Sequence, residues 1–505
     1  MENLTKLNRR RWAMQLALTT GLALLFLAAL LWGLQGATPA RADPGTLYVD
    51  SAIGSDDSNC SNPAAPCATI GYALTQAGNG DEILVAEGTY TETLDIAITV
   101  TLKGGYTMSG TLWLPQGGET VVDADGADSP VIRISNGAFV TLEDLIVQGA
   151  NYTSEGGGIR IDLASAVVSG TLVRKNSAER GGGIWVEQHE GEPASLLLIN
   201  SSLLTNTANQ YGGGLGSSGW PTVTLNNVEV RGNIAGDSGG GLDVGRVTIT
   251  NSRIVSNTAV GRGGGMWANV AYIYNSEING NEVTGEGTVF GGGISVLNGR
   301  LDIWDSTVSG NQLVGDESIG GGIDAEGARA TIVNTIISNN SAQIRGGVTV
   351  YGAVITVTNS LLISNTGDGI GGRYITGTIV NVTSADNTGC GLNVGGAVTI
   401  TNSIMWGNSE PNYVCTGGCS LTYSDVEDEE ITGTGNIYAD PLFVDAAHGD
   451  YHLQVGSPCI DKGTSVGAPL TDIEGTPRDA VPDMGAYEWT GFRIFLPLTL
   501  RNYGP

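Results

Sequence analysis

Through the middle of the chain, apolar and polar positions alternate in runs of three to five residues, and the runs break at asparagines. In VTITNSRIVSN (247–257), Val247 and Ile249 alternate with Thr248 and Thr250 up to a corner at Asn251-Ser252, and Ile254 follows alone before Asn257. Period-two alternation of β-branched residues in such short runs predicts strands and excludes helices. Two side chains six positions apart mark the same point in every unit, from Gly170/Asn176 through Asn200/Asn206, Asn227/Asn233 and Asp305/Asn311 to Asn402/Asn408. A triple glycine plus one apolar residue marks another: GGGI at 156–159, 181–184, 291–294 and 320–323, GGGL at 212–215 and 239–242, GGGM at 263–266. From Gly158 to Gly372 the third glycines, with degraded copies at Gly347 and Gly372, lie 24 to 31 residues apart. A period in this range signals a solenoid. Asparagine tolerates the left-handed backbone of a sharp corner and glycine tolerates more, so each unit should be three short strands and three turns.

Such a unit cannot bury its apolar face alone, but stacked coils pair their strands in parallel and align like side chains in ladders. The inward columns agree. Ile159, Ile184, Leu215, Leu242, Met266, Ile294, Ile323 and Val348 follow the third glycine, and Leu198, Leu225, Ile249, Ile273, Ile303, Ile332, Val357 and Ile379 stand two places before the first asparagine of a pair. About five apolar side chains per coil, each contributing roughly 1.5 to 3 kcal/mol when buried, can offset the ordering of a glycine-rich chain. Stacked asparagines would add amide hydrogen bonds. The expected fold is all-β: a right-handed parallel β-helix of three-strand coils, with a short capping helix at its start and a β-rich cap at its end.

The ends differ from the middle. A basic cluster (Lys6, Arg9, Arg10, Arg11), an apolar run from Trp12 to Leu34 and Ala40-Arg41-Ala42 have the design of a secretory signal, cleaved after Ala42; uncleaved, the run is long enough to anchor in a bilayer. Cleavage would move the net charge from −28 to −32, because residues 1–42 hold five cations and one anion. So acidic a surface should repel nucleic acid and polyanionic glycans and keep the chain soluble. It would suit calcium, although no calcium motif is present, and no other cofactor is indicated. Cys60, Cys67, Cys390, Cys415, Cys419 and Cys459 lie outside the regular coils. An even count in an exported chain implies disulfides, Cys60–Cys67 by proximity and three possible pairings of the rest.

Residues 45–106 (GTLYVDSAIGSDDSNC… through ITVTLKGGY) resemble the N-terminal cap of extracellular β-helix proteins of the pectin-lyase-like fold. Ile70, Ala73, Leu74 and Ala77 would share one helical face over the first coil, Gly78-Asn79-Gly80 would stop the helix, and DEILVAEGTY would start the first strand. ADPLFVDAAHGDYHLQVGSPCIDKG with TDIEGTPRDAVPDMGAYEW, from Ala439 to Trp489, resembles the choice-of-anchor Q module that closes β-helix surface proteins. The repeats themselves also resemble those of polymorphic outer-membrane adhesins. The resulting division is a signal or anchor at 1–42, a cap with first strands at 43–106, coils at 107–410, a C-terminal cap at 411–490 and a tail at 491–505.

A β-helix by itself names no activity. Asn-Thr-Asp, Asp-Asp within a coil, Gly-His-Gly and Arg-Ile-Lys, the polygalacturonase pattern, are all missing, and His189, His448 and His452 have no metal-ligand spacing. The outward column two places after the third glycine runs Arg160, Trp185, Gly216, Asp243, Trp267, Ser295 and Asp324. Exposed aromatics among acids are what sugar rings need, making Arg160, Asp162, Trp185, Glu187, Asp243 and Trp267 the candidate ligand contacts. Asp162 and Glu187, on consecutive coils, would place carboxylates about 5 Å apart, near the separation in a retaining glycosidase, unless Arg160 neutralises them. The sequence favours a non-catalytic secreted or cell-surface protein, adhesin-like or structural, that meets extracellular glycans or envelope components. The alternative is a polysaccharide lyase or glycoside hydrolase working on the face after the glycines.

Overall fold

The computed structural model describes residues 44–109, 112–315, 317–427 and 431–491. Parallel strands wind into a right-handed β-helix, whose most regular ladder is a 14-stranded sheet from Gly88–Thr91 to Asp425–Val426. Both apolar columns anticipated from the sequence point inward, and every one of their side chains is fully buried.

The coil is less segmented than three equal strands. The strand after the glycines and the strand before the asparagine corner belong to one 24-stranded sheet. In several coils they fuse, as in Leu242–Thr250, Met266–Tyr274 and Ile294–Trp304. In these coils the chain bends at Gly245, Asn269 and Asn298-Gly299 without leaving the ladder. The third side of the coil is a two-residue strand, such as Thr258–Ala259, in a 6-stranded sheet. The long insertions 282–290 and 312–319 pair with each other through Thr288–Phe290 and Glu317–Ile319, over a small cluster of Val283, Val289 and Leu313.

The two asparagines of a pair do different work. The first, as at Asn227, Asn251, Asn275 and Asn402, sits at φ 47° to 55° and turns the strand. The second is buried and hydrogen-bonded to its neighbours above and below. Asn233 Oδ1 accepts from the backbone N–H (2.9 Å) and the Nδ2 (3.0 Å) of Asn206, while its own Nδ2 donates to Leu203 O (2.9 Å) and Asn257 Oδ1 (3.0 Å). The same bonds repeat from Asn176 until Asn412 takes the last place after Asn408. Each amide is fully satisfied, the condition under which a buried polar row stabilises. The glycines complete this packing. Gly239 turns the chain at φ 62°, and a Cβ on Gly241 would lie 2.5 Å from Gly265 O and 3.1 Å from Asn257 Nδ2.

At the start, a strand precedes the cap helix. Thr46–Val49 pairs in parallel with Glu82–Val85, so the first strand lies earlier than DEILVAEGTY. The helix is Ile70–Gln76, N-capped by Thr69, and it packs Ile70 and Ala73 inward. Disulfides join Cys60 to Cys67 and Cys415 to Cys419; Cys390 and Cys459 are buried outside both bridges, so the expectation of six bridged cysteines holds for four. The Cys459 thiol instead donates to Asp425 Oδ2 at 3.0 Å within a buried cluster.

The C-terminal module holds one antiparallel hairpin, Phe443–Asp445 with Asp450–Leu453, followed by turns. It lies along the row of asparagine corners and is not confined to the last coil. Asn359 Nδ2 donates to Thr471 O (2.6 Å), Asn381 Nδ2 to Asp483 O (3.0 Å) and Asn402 Nδ2 to Thr464 O (2.8 Å). Buried Arg478 ties the module together by donating to Glu488, to four backbone carbonyls and to Asn359. The proposed signal segment lies outside the described residues, as does the tail from 492 onward.

Asn257→Ala should strand the amides of Asn233 and Asn281 and lower stability by about 3 kcal/mol. Asn251→Gly, at a corner that glycine also tolerates, should change it by under about 0.5 kcal/mol. Urea unfolding followed by circular dichroism measures both.

Candidate functional site

The candidate column begins where Ile159–Asp162 pairs with Ile184–Glu187, placing Arg160 beside Trp185 and Asp162 beside Glu187 as the spacing implied. Arg160 occupies the space between the carboxylates. Its Nε donates to Asp162 Oδ1 (2.6 Å), its Nη2 to Glu187 Oε2 (3.1 Å) and its Nη1 to Glu155 Oε2 (2.7 Å). Arg133 Nε adds a bond to Asp162 Oδ2 at 2.8 Å, and Arg180 pairs with the other oxygen of Glu155. His189 Nε2 lies 3.1 Å from Glu187 Oε1 on the exposed edge.

Three carboxylates therefore meet three guanidiniums. Burial alone would raise the Glu155 pKa, but the Ser154 hydroxyl, the Arg160 hydrogen bond and the Arg180 and Arg160 charges outweigh it and hold that carboxyl below its usual range. Burial would lower the Arg160 pKa, but Asp162 and Glu155 raise it above its usual value. A hydrolytic pair needs one carboxyl free to carry a proton and another free to attack. Here the bridging cation removes the bare like-charge contact that such a pair relies on. Sequence reading found Arg160, Asp162 and Glu187 but missed Glu155, Arg133 and Arg180. Glu155 could have been found, because a residue just before the triple glycine faces the residue two places after it.

That facing also corrects the expectation of exposed aromatics. Trp185 is only 4% exposed. Its ring lies against Gly216 of the next coil, where an added Cβ would come within 2.7 Å of it, and the Arg180 guanidinium stands 5.3 Å from its ring centre. Trp267 is partly buried. Neither indole N–H has a hydrogen-bond partner among the described residues. Asp243, also buried, accepts a hydrogen bond from Ser238, the residue before its own glycines. Desolvation pushes its pKa up to about 7. Asp324, three coils on in the same column, accepts from Ser295 at 3.3 Å and is likewise raised by burial to about 7. The column is thus a covered seam, closed by the chain that leads into each glycine turn. Among the described residues, no three His, Cys, Asp or Glu side chains are grouped to hold a metal ion.

No protein-family model and no curated protein sequence matches the chain. Solved structures do match. Pectate lyase Pel9A is 16% identical over 89% of this chain and 97% of its own, with a TM-score of 0.30. XylC in complex with xylose is 10% identical over 88% and 98%, with a TM-score of 0.36. The A-module of the Azotobacter vinelandii mannuronan C-5 epimerase AlgE6 is 15% identical over 77% and 97%, with a TM-score of 0.27. The likeness extends to the β-helical fold and no further.

Asp324 gives the seam a pH signature. With its native pKa near 7 and an unfolded value near 4, the native state binds the extra proton between those limits, so stability falls as pH rises through that window. Asp324→Asn should remove its share of that slope, leaving that of Asp243, and stabilise the protein at pH 8 by about 2 to 4 kcal/mol relative to wild type, with little change at pH 4. Urea unfolding at the two pH values measures the difference.

Proposed function

We propose that the chain is a non-catalytic, exported β-helix protein of the cell surface, adhesin-like or structural in the envelope. The observation that carries this reading is the closure of the cluster where acids and an aromatic converge around Arg160 and Trp185. Each carboxylate there is bound by arginine and the tryptophan is covered. The remaining coils support it by their regularity, which serves length and stiffness better than a single reaction site. Export is supported by the basic and apolar start of the sequence and by two disulfides, which persist in oxidising compartments. The resemblance of Ala439 to Trp489 to choice-of-anchor Q modules, and of the repeats to outer-membrane adhesins, fits a protein displayed at a surface.

Incubation of the intact protein with a panel of plant, algal and bacterial polysaccharides, followed by reducing-end and unsaturated-product analysis, tests the reading. No release of product is expected from any of them. Turnover that disappears in Glu187→Gln or Asp162→Asn would replace it with the enzyme alternative.

A further inference from the structure

A second outward face, on the strands that lead into the asparagine corner, carries a different set of side chains. One register column there runs Arg246, Val270, Arg300, Arg329 and Val354. Two places along the strands the column is Thr248, Tyr272, Asp302 and Thr331, and two further it is Thr250, Tyr274, Trp304 and Val333. Arg246, Arg300 and Arg329 are exposed, and Tyr274 and Trp304, neighbours on adjacent coils, are 37% and 38% exposed.

The fold does not require this arrangement. Arg300 and Arg329 are direct neighbours on parallel strands, where like charges about 5 Å apart destabilise the pair. Arg300 donates to Asp302 Oδ2 and lies 5.5 Å from the Tyr272 ring centre, but Arg246 and Arg329 make no ion pair among the described residues. In a chain with 23 cations against 51 anions, two arginines of one column without an ion pair among the described residues need a reason. Asp302 adds an independent one. It is 5% exposed, and its Oδ1 has no hydrogen-bond partner among the described residues.

We propose that this face binds an anionic glycan. Sugar rings lie on Trp304 and Tyr274, whose flat apolar faces match the C–H faces of a pyranose. Carboxylate or sulfate groups are held by Arg300 and Arg329, whose planar forks suit such anions. Asp302 orients Arg300 from below through Oδ2. Arginine and tryptophan columns lie four residues apart on one strand, about 13 Å, enough for more than one ring. The occupant follows from charge complementarity: the acidic remainder of the surface repels a polyanion and confines it to this column, so the repulsion expected from net charge alone is locally reversed. The proposal rests on the non-catalytic reading only for the absence of turnover.

Affinity electrophoresis of the intact protein at low ionic strength, with polygalacturonate, dextran sulfate or neutral dextran in the gel, provides the test. Retardation by either anionic polymer, and not by dextran, is expected; which one retards identifies carboxylate or sulfate as the anion. Arg329→Gln and Trp304→Ala should each weaken binding roughly tenfold with the thermal unfolding midpoint retained, and Arg253→Gln, which removes a cation elsewhere, should not. No retardation, equal retardation by dextran, or equal loss in all three variants would overturn the assignment. Cleavage of a bound polymer would instead overturn the non-catalytic reading and leave the assignment of this face standing.

Discussion

The buried amide ladder from Asn176 to Asn412 is the constraint from which the rest of the solenoid follows. A parallel sheet of short strands has weak register of its own, because shifting a strand by two residues keeps its apolar face inward. An amide that must give two hydrogen bonds and receive two, in a site without water, admits one register only. The glycines obey the same ladder, since the third glycine of each triplet lies against the amide of its own coil and the carbonyl of the next. Coil length can therefore vary from 24 to 31 residues while the stack stays aligned: insertions occur where no ladder residue is displaced.

This dependence explains what could be read from the sequence. Ladder residues repeat at fixed offsets, and their column partners repeat with them, so Ile249, Asn251, Asn257 and Gly241 announced their places individually. Contacts that cross from one column to another carry no such period. Glu155 meets Arg160, and Ser238 meets Asp243, because the glycine turn folds the chain back on itself; each pair is a single pairing of unlike residues. For the same reason Trp185 resembled an exposed aromatic by its alternation and proved to be covered. The seating of the C-terminal module on Asn359, Asn381 and Asn402 was also invisible, since those corners look identical to the unoccupied ones at Asn227 and Asn251.

Electrostatics separates the faces more sharply than shape does. The seam after the glycines offsets its charges internally, by ion pairing around Arg160 and, as pH falls through about 7, by protonation at Asp243 and Asp324, whose pKa values are raised by burial. The face before the corners leaves Arg246 and Arg329 without an ion pair among the described residues. A solenoid held by its interior amides is at liberty to vary both faces, which is why composition along them carries the functional information.

Interior amides, more than the apolar strands, fix the stack. Native-state hydrogen exchange resolved by residue tests it most directly. The backbone amides of Asn206, Asn233, Asn257, Asn281 and Asn311, each donating to the next asparagine's Oδ1, should be the slowest to exchange and should open together. Exchange at these positions as fast as at the exposed corners Asn227 and Asn251, with the apolar strands still protected, would contradict it.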